Sequence, residues 1–352
     1  VSEDPFESVI GQERAVRLLA RLAASEAAPH ALLLCGPDGT GRAAAALAFI
    51  KALYLRTVGE RSVRRIESMS HPDVSLMFPL TRAGRQTEPE TLRKIVRDPY
   101  GTPRPENAAL HAIEQVRDLK HRFSRSAYEG AWRSAVILHA EKMREEAASA
   151  LLKVLEEPPT RSVIVLTTSA PDALLPTIVS RCQMVRFPHL SEASISTALQ
   201  KQVELEASRL AFIARACNGS YRQAWEMAQD DSDDMYERAF RFLDALLWGE
   251  PSLTYAAIEG LTSDKERTLS MLSAAALWLR DVMLSQAGIL SVTGEQAQRL
   301  EKLSAVFDAE RIREALADIE RLREMNRRNV NLHAGVVTFW NRLRSYAQGV
   351  AA

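Results

Sequence analysis

The stretch Gly36-Pro37-Asp38-Gly39-Thr40-Gly41-Arg42-Ala43 has the spacing of a phosphate-binding loop, a glycine followed after four residues by a second glycine. Such a loop works because backbone N–H groups and a helix N-terminus converge on phosphate oxygens. Gly36, Gly39 and Gly41 supply the turn, but Arg42 stands where the chemistry asks for Lys. Arginine keeps the charge and loses the compact ammonium that reaches terminal phosphates. Ala43 replaces Ser or Thr and has no hydroxyl for Mg²⁺. Hydrolysis also needs an acidic pair at the end of a second strand, one carboxylate for the metal and one to polarise water. The apolar run Val136-Ile137-Leu138 leads instead into His139-Ala140-Glu141. Glu141 arrives late, and a slip of one residue along a strand moves a side chain by about 3.3 Å. His139, a solitary histidine at a strand end, reads as structural. Two separate motifs thus lack metal chemistry. The sequence predicts a nucleotide-binding fold whose own hydrolytic site is dismantled, with ATP binding in cis doubtful.

These residues need a parallel sheet to position them. Leu32 to Cys35 reads as a buried strand led into by His30, and Ala43 to Ile50 continues in good helix formers. A preceding helix carries Leu18, Leu19 and Leu22 on one face and is closed by Pro29. Further strands are expected at His71–Met77, Ser134–Leu138, Val163–Thr168 and Val185–Phe187, with helices at Ala109–Phe123 and Glu145–Glu157, the last stopped by Pro158-Pro159. Strands alternating with helices call for a parallel sheet covered on both faces. Residues 79–108, rich in proline and arginine, read as an insertion with a short helix near Glu90–Val96. Its acidic neighbours make it a solvated loop rather than a phosphate-binding surface. Beyond Pro188 the pattern is helical only, broken at Asn218-Gly219, at the acidic run Asp230–Asp234 and at Gly249-Glu250-Pro251. Apolar stripes at Leu272, Ala276, Leu279 and Met283, and at Ile312, Leu316, Ile319 and Leu322, belong to core or subunit contacts.

Composition narrows the class. With 352 residues, 46% hydrophobic and 26% charged, the chain has material for two or three soluble domains. Zero net charge argues against a protein whose whole surface grips nucleic acid. Cys35, Cys182 and Cys217 are far apart, which suggests neither a zinc site nor a disulfide framework and fits a reducing cytoplasm. No signal peptide and no membrane-spanning run is expected.

Ala147-Ala148-Ser149-Ala150-Leu151-Leu152-Lys153-Val154-Leu155-Glu156-Glu157-Pro158-Pro159 closely resembles a signature of bacterial sliding-clamp loaders. Leu175-Pro176-Thr177-Ile178-Val179-Ser180-Arg181-Cys182 resembles that family's Ser-Arg-Cys motif, and His30–Leu34 and His71-Pro72-Asp73 fit as well. The likeness is strong over the first 190 or so residues. It extends more loosely through Asn218–Ala224, Trp278–Asp281 and Asn329–Asn331. Within the family the dismantled loop resembles the delta-prime type of DNA polymerase III subunit rather than the gamma/tau motors.

The resemblance implies an AAA+ α/β fold: a degenerate phosphate-loop domain at 1–188, a helical lid at 189–245 and an all-α collar at 246–352 that joins subunits in a ring. It implies that Arg181 is an arginine finger for ATP held by a neighbour, a placement worth roughly a thousandfold or more in rate. Arg222 resembles the lid arginine that senses nucleotide, and without nucleotide in cis it is expected to pack or pair within the lid. The implied partners are a gamma/tau-like ATPase, a delta-like subunit, the sliding clamp and primed DNA, within a DNA-directed DNA polymerase holoenzyme. Many relatives carry four zinc-binding cysteines after the loop helix. Tyr54–Ser70 has none, so no zinc is predicted. The insertion is longer than usual, and Ser149 stands where Asn is common. Two other readings stay open: an active gamma/tau-like ATPase with an unusual loop, and a pure scaffold in which Arg181 is idle.

Overall fold

The computed structural model describes residues 4–25, 28–80, 89–101, 105, 109–129, 132–229, 235–288, 295–327 and 331–349. Two compact units divide the chain, Val1–Ala228 and Gln229–Ala352.

In the first unit the described strands are β1 (Ala31–Cys35), β2 (Val74–Met77), β3 (Arg133–Ile137), β4 (Ser162–Thr168) and β5 (Gln183–Arg186). They form a sheet in the order β2-β3-β4-β1-β5, every pair parallel. Each expected strand is present. They were readable because a strand covered on both faces is apolar throughout. β1 lies between β4 and β5, with Leu33 opposite both Leu166 and Met184. Its side chains alternate between two cores. Leu32 and Leu34 point to the side of α1 (Glu13–Ala24) and α2 (Arg42–Thr57), with Leu19, Phe49 and Leu53. Ala31 and Leu33 point to the side of α5 (Ile113–Ser124) and α6 (Glu145–Glu156), with Val116, Leu119 and Leu151. Each fully buried leucine is worth roughly 1.5–3 kcal/mol, so β1 is a firm base for the loop that follows it.

Between α2 and β2 lies α3 (Glu60–Glu67). It is tied down by Glu129, which accepts from Ser62 Oγ and pairs with Arg65 and with His71 Nε2. The Ser62 hydroxyl, with His71 and Arg65, holds the Glu129 carboxyl below its ordinary range, burial opposing. Helix α4 (Pro89–Arg97) lies where the short helix was expected, and its Ile95 and Val96 enter the α1/α2 core. This part of the insertion is docked rather than solvated. Leu80 and Leu110 exchange two 3.0 Å backbone hydrogen bonds and pinch its ends together. Arg82, Arg85 and Arg104 lie outside the described residues.

After α7 (Pro176–Val179) and β5 come α8 (Glu192–Gln200), α9 (Ala207–Ala216) and α10 (Tyr221–Gln229), a small bundle with its own core of Leu190, Ile195, Leu199, Ile213 and Cys217. Ser191 caps α8 by accepting from the Ser194 N–H at 3.1 Å. The Asn218-Gly219 break is a left-handed pair, with φ of 48° and 72°. Its Gly219 carbonyl accepts from the Leu190 N–H at 3.0 Å.

The second unit holds α11 (Met235–Trp248), α12 (Pro251–Thr262), α13 (Lys265–Gln286), α14 (Glu295–Ser304), α15 (Ala309–Arg327) and α16 (Leu332–Gln348). An expected boundary at 246 falls inside α11, which packs on α13 and α16. Gly249-Glu250-Pro251 is therefore a turn within one helical unit. Thr254 Oγ1 donates to the Ala245 carbonyl at 3.1 Å across it, and Arg344 donates to the Gly249 carbonyl at 3.1 Å. The stripe expected along α13 is also too narrow. Ala274, Ala275, Leu277, Trp278 and Val282 are buried beside Leu272 and Leu279, because helices pack on several sides, while Met283 is exposed. No described helix is long and apolar enough to cross a membrane.

Candidate functional site

The phosphate-type loop leaves the C-terminal end of β1, and the Gly36 N–H donates to the Thr168 carbonyl at 3.2 Å. Thr40 Oγ1 donates to the Pro37 carbonyl at 2.8 Å, closing the turn from inside. Gly41 caps α2 at φ 94°, a left-handed conformation that suits glycine. Gln12 secures the loop from outside, donating from Nε2 to the Thr40 carbonyl at 3.1 Å and to the Pro188 carbonyl at 2.8 Å.

Arg42 is the first residue of α2 and only 6% exposed. Its Nη2 is paired with Asp38 Oδ1 one turn earlier, and its Nη1 is buried with no protein partner. The cation that replaces the expected lysine is therefore folded back on an acid of its own loop.

The chain itself covers the loop. The Tyr221 N–H, at the start of α10, donates to the Gly39 carbonyl at 3.0 Å. A Cβ at Gly39 would stand 2.0 Å from Ser220 Oγ, and one at Gly41 would stand 2.6 Å from the Tyr100 hydroxyl. Tyr100 is held there by the Ile10 N–H, which donates to its oxygen at 2.8 Å, and by edge-on packing against Tyr221 with ring centres 5.1 Å apart. Gly39 has φ 77°, so Gly39→Ala is both strained and clashing. We expect it to cost about 1–3 kcal/mol, read as a lower urea midpoint of the first unit.

What remains over the loop is a cavity of about 40 Å³. Asp38, Gly39, Gly41, Arg42 and Ala43 line it from the loop, Pro99 and Tyr100 from beyond α4, Leu138, His139 and Thr167 from the sheet, and Arg222 from α10. That space holds a few waters. Arg222 Nε also bonds Glu226 Oε1 at 2.9 Å along its own helix, the pairing within the lid that was expected. At the end of β3, His139 takes φ 54° and its N–H donates to Thr167 Oγ1 at 3.2 Å. Glu141 sits in the next turn, engaged by Ser169 Oγ at 3.0 Å and near His139 Nδ1 at 3.6 Å. Burial works to raise its pKa, but His139, its own backbone and Thr168 outweigh this and hold the carboxyl down at about 2.

Ser180-Arg181-Cys182 does not join this cavity. Arg181 follows α7, half-exposed, donating from Nη1 to the Thr177 carbonyl at 3.0 Å and paired through Nη2 with Glu156 Oε1 at 2.8 Å. Cys182 packs on the α5/α6 core, and burial pushes its thiol up to about 12, so it serves as an apolar anchor and not as a nucleophile. Among the described residues no group of three or more His, Cys, Asp or Glu is gathered as a metal would require.

Sequence reasoning missed Gln12, Tyr100, Thr167 and the Asp38 partner of Arg42. Only the last had a local signal, an acid and a base four residues apart across the loop and the first turn of a helix.

A parallel sheet, a glycine loop at the end of a central strand and a helical lid bonded over it define an α/β protein of the phosphate-loop type. The family model described as DNA polymerase III, delta subunit matches residues 11–191, and the chain belongs to that family. It is 31% identical over 227 residues to the DNA polymerase III subunit delta' of Bacillus subtilis, a match covering 62% of this chain and 60% of that one. It is 26% identical over 224 residues to the tau subunit of the same organism, covering 62% of this chain and 36% of tau. The matched stretch thus spans less than two thirds of either relative. A gamma subunit-related DNA polymerase III protein from Thermotoga maritima overlaps it with a TM-score of 0.48 at 17% identity, covering 95% of this chain and 99% of that one.

Proposed function

We propose that this chain is a delta-prime-type subunit of a DNA polymerase III clamp loader. In this reading it hydrolyses no ATP itself and presents Arg181 to ATP held by a neighbouring gamma/tau-like subunit. The observation that carries the reading is the contrast between two cations. Arg42 is buried and spent on Asp38 beneath a cavity of about 40 Å³, whereas the Arg181 side chain is 35% exposed and lies outside that cavity. One guanidinium is withdrawn from phosphate chemistry and the other stands where a second protein can meet it. The chain would act as a rigid partner within a ring that also engages a delta-like subunit, the sliding clamp and primed DNA.

Isothermal calorimetry of the purified chain with Mg-ATP tests the first half. The expected result is no saturable heat and no turnover. Tight Mg-ATP binding, with turnover abolished by Arg42→Ala, would replace this reading with that of an ATPase motor.

A further inference from the structure

We propose that Glu156 is a positioning residue for Arg181. It holds the guanidinium in the place of a triphosphate and yields it when a neighbour's nucleotide docks. The inference rests on the reading of Arg181 as a finger and adds the element that governs when the finger is available.

Arg181 Nη2 lies 2.8 Å from Glu156 Oε1, and Nη1 donates to the Thr177 carbonyl at 3.0 Å. Both acceptors sit at helix ends. Glu156 is the last residue of α6, and Thr177 belongs to the short α7. A helix C-terminus carries partial negative charge, so a carboxylate there works against the helix dipole. Helix stability therefore gives no reason for an acid at 156, whereas a guanidinium seat does. The backbone around the arginine is fixed. Its N–H donates to the Ile178 carbonyl at 3.1 Å, and the Cys182 N–H donates to the Val179 carbonyl at 3.2 Å. Cys182 is packed against the α5/α6 core just beyond. Handing the guanidinium over thus requires only side-chain rotation.

The seat is weak by construction. The two side chains are 35% and 47% exposed, and pairs this accessible to water contribute little. A terminal phosphate carries more negative charge and more acceptor oxygens for the guanidinium fork, so it outcompetes a single carboxylate. Without that phosphate, Glu156 keeps the fork gathered against its own chain and away from other anions.

The experiment is steady-state ATP hydrolysis by the complex reconstituted from this chain with its tau/gamma- and delta-type subunits, clamp and primed DNA. Glu156→Gln removes the competing charge and keeps the side-chain length. It should raise kcat/KM by about two- to fivefold, the size of an exposed ion pair. Glu156→Asp should stay near the unmodified rate. In an Arg181→Ala background Glu156→Gln should change nothing, a dependence that a merely structural role would not show. Gel filtration of each complex verifies assembly. If Arg181→Ala lowers hydrolysis while Glu156→Gln leaves it unchanged or lowers it, the finger stands and the restraint is overturned. If Arg181→Ala is itself silent, both fall.

Discussion

Arg181→Ala is expected to slow ATP turnover at the neighbouring site about a thousandfold or more, leaving assembly of the complex intact. A factor of a thousand is about 4 kcal/mol of barrier. A single guanidinium can supply that much because phosphoryl transfer leaves little covalent chemistry to the protein and depends on stabilising charge on the transferring group. Folding should hardly register the change. The arginine's contacts are one half-exposed ion pair and one carbonyl, to Glu156 and Thr177, and exposed pairs of this kind are worth roughly 0–1 kcal/mol. Loss of rate without loss of assembly is the signature of a finger, and gel filtration beside a steady-state assay reads both. Arg181→Lys sharpens the test. Lysine restores a point charge but not the planar fork, so only part of the rate should return. Unchanged hydrolysis in Arg181→Ala would remove the finger and leave a scaffold held by its helical unit.

The parts of this architecture that sequence made legible are those set by local pattern. Apolar runs such as Leu32–Leu34 and Val163–Leu166 announce strands buried on both faces, and all seven of those residues are fully or nearly fully buried. Pro158-Pro159 and Asn218-Gly219 announce helix ends for reasons fixed within a few residues. What stayed hidden depends on distant partners. Nothing near position 100 says that Tyr100 will lie over Gly41, and the Ile10 N–H that anchors it is ninety residues away. Glu156 and Arg181 each belong to a recognisable motif, yet their contact exists only because α6 and α7 pack together. The helical unit misled for the converse reason. Gly249-Glu250-Pro251 breaks the helical pattern, but its Glu250 carbonyl accepts from Thr254 Oγ1, its Gly249 carbonyl accepts from Arg344, and its Gly249 N–H donates to the Ala245 carbonyl.

Lowering the pH from 6.5 to 4 is expected to remove about 3 kcal/mol of stability from the sheet domain, chiefly through His111. This side chain is fully buried, and its Nε2 is 2.7 Å from the Leu138 carbonyl at the end of β3. Nε2 therefore carries the hydrogen, and Nδ1 is left with no protein partner. Burial pushes the pKa from 6.5 down to about 4, only partly offset by the Leu138 carbonyl. The unfolded chain takes up a proton near pH 6.5 and the folded one only near 4, so between these values the unfolded state holds more protons. Stability therefore falls as pH falls through that window. A shift of this size corresponds to about 3 kcal/mol at 1.36 kcal/mol per unit. Glu141 acts lower down. Its carboxyl is held at about 2 against an ordinary 4.5, so its contribution is present above pH 4.5 and is lost between there and 2. Acid unfolding should accordingly show two limbs. His111→Gln keeps a donor for Leu138 without titrating and should flatten the upper limb, whatever constant offset it adds. Glu141→Gln should flatten the lower limb alone. Urea midpoints taken at half-unit steps of pH separate the two. A His111→Gln curve parallel to the unmodified protein down to pH 4.5 would mean that another group drives the upper limb.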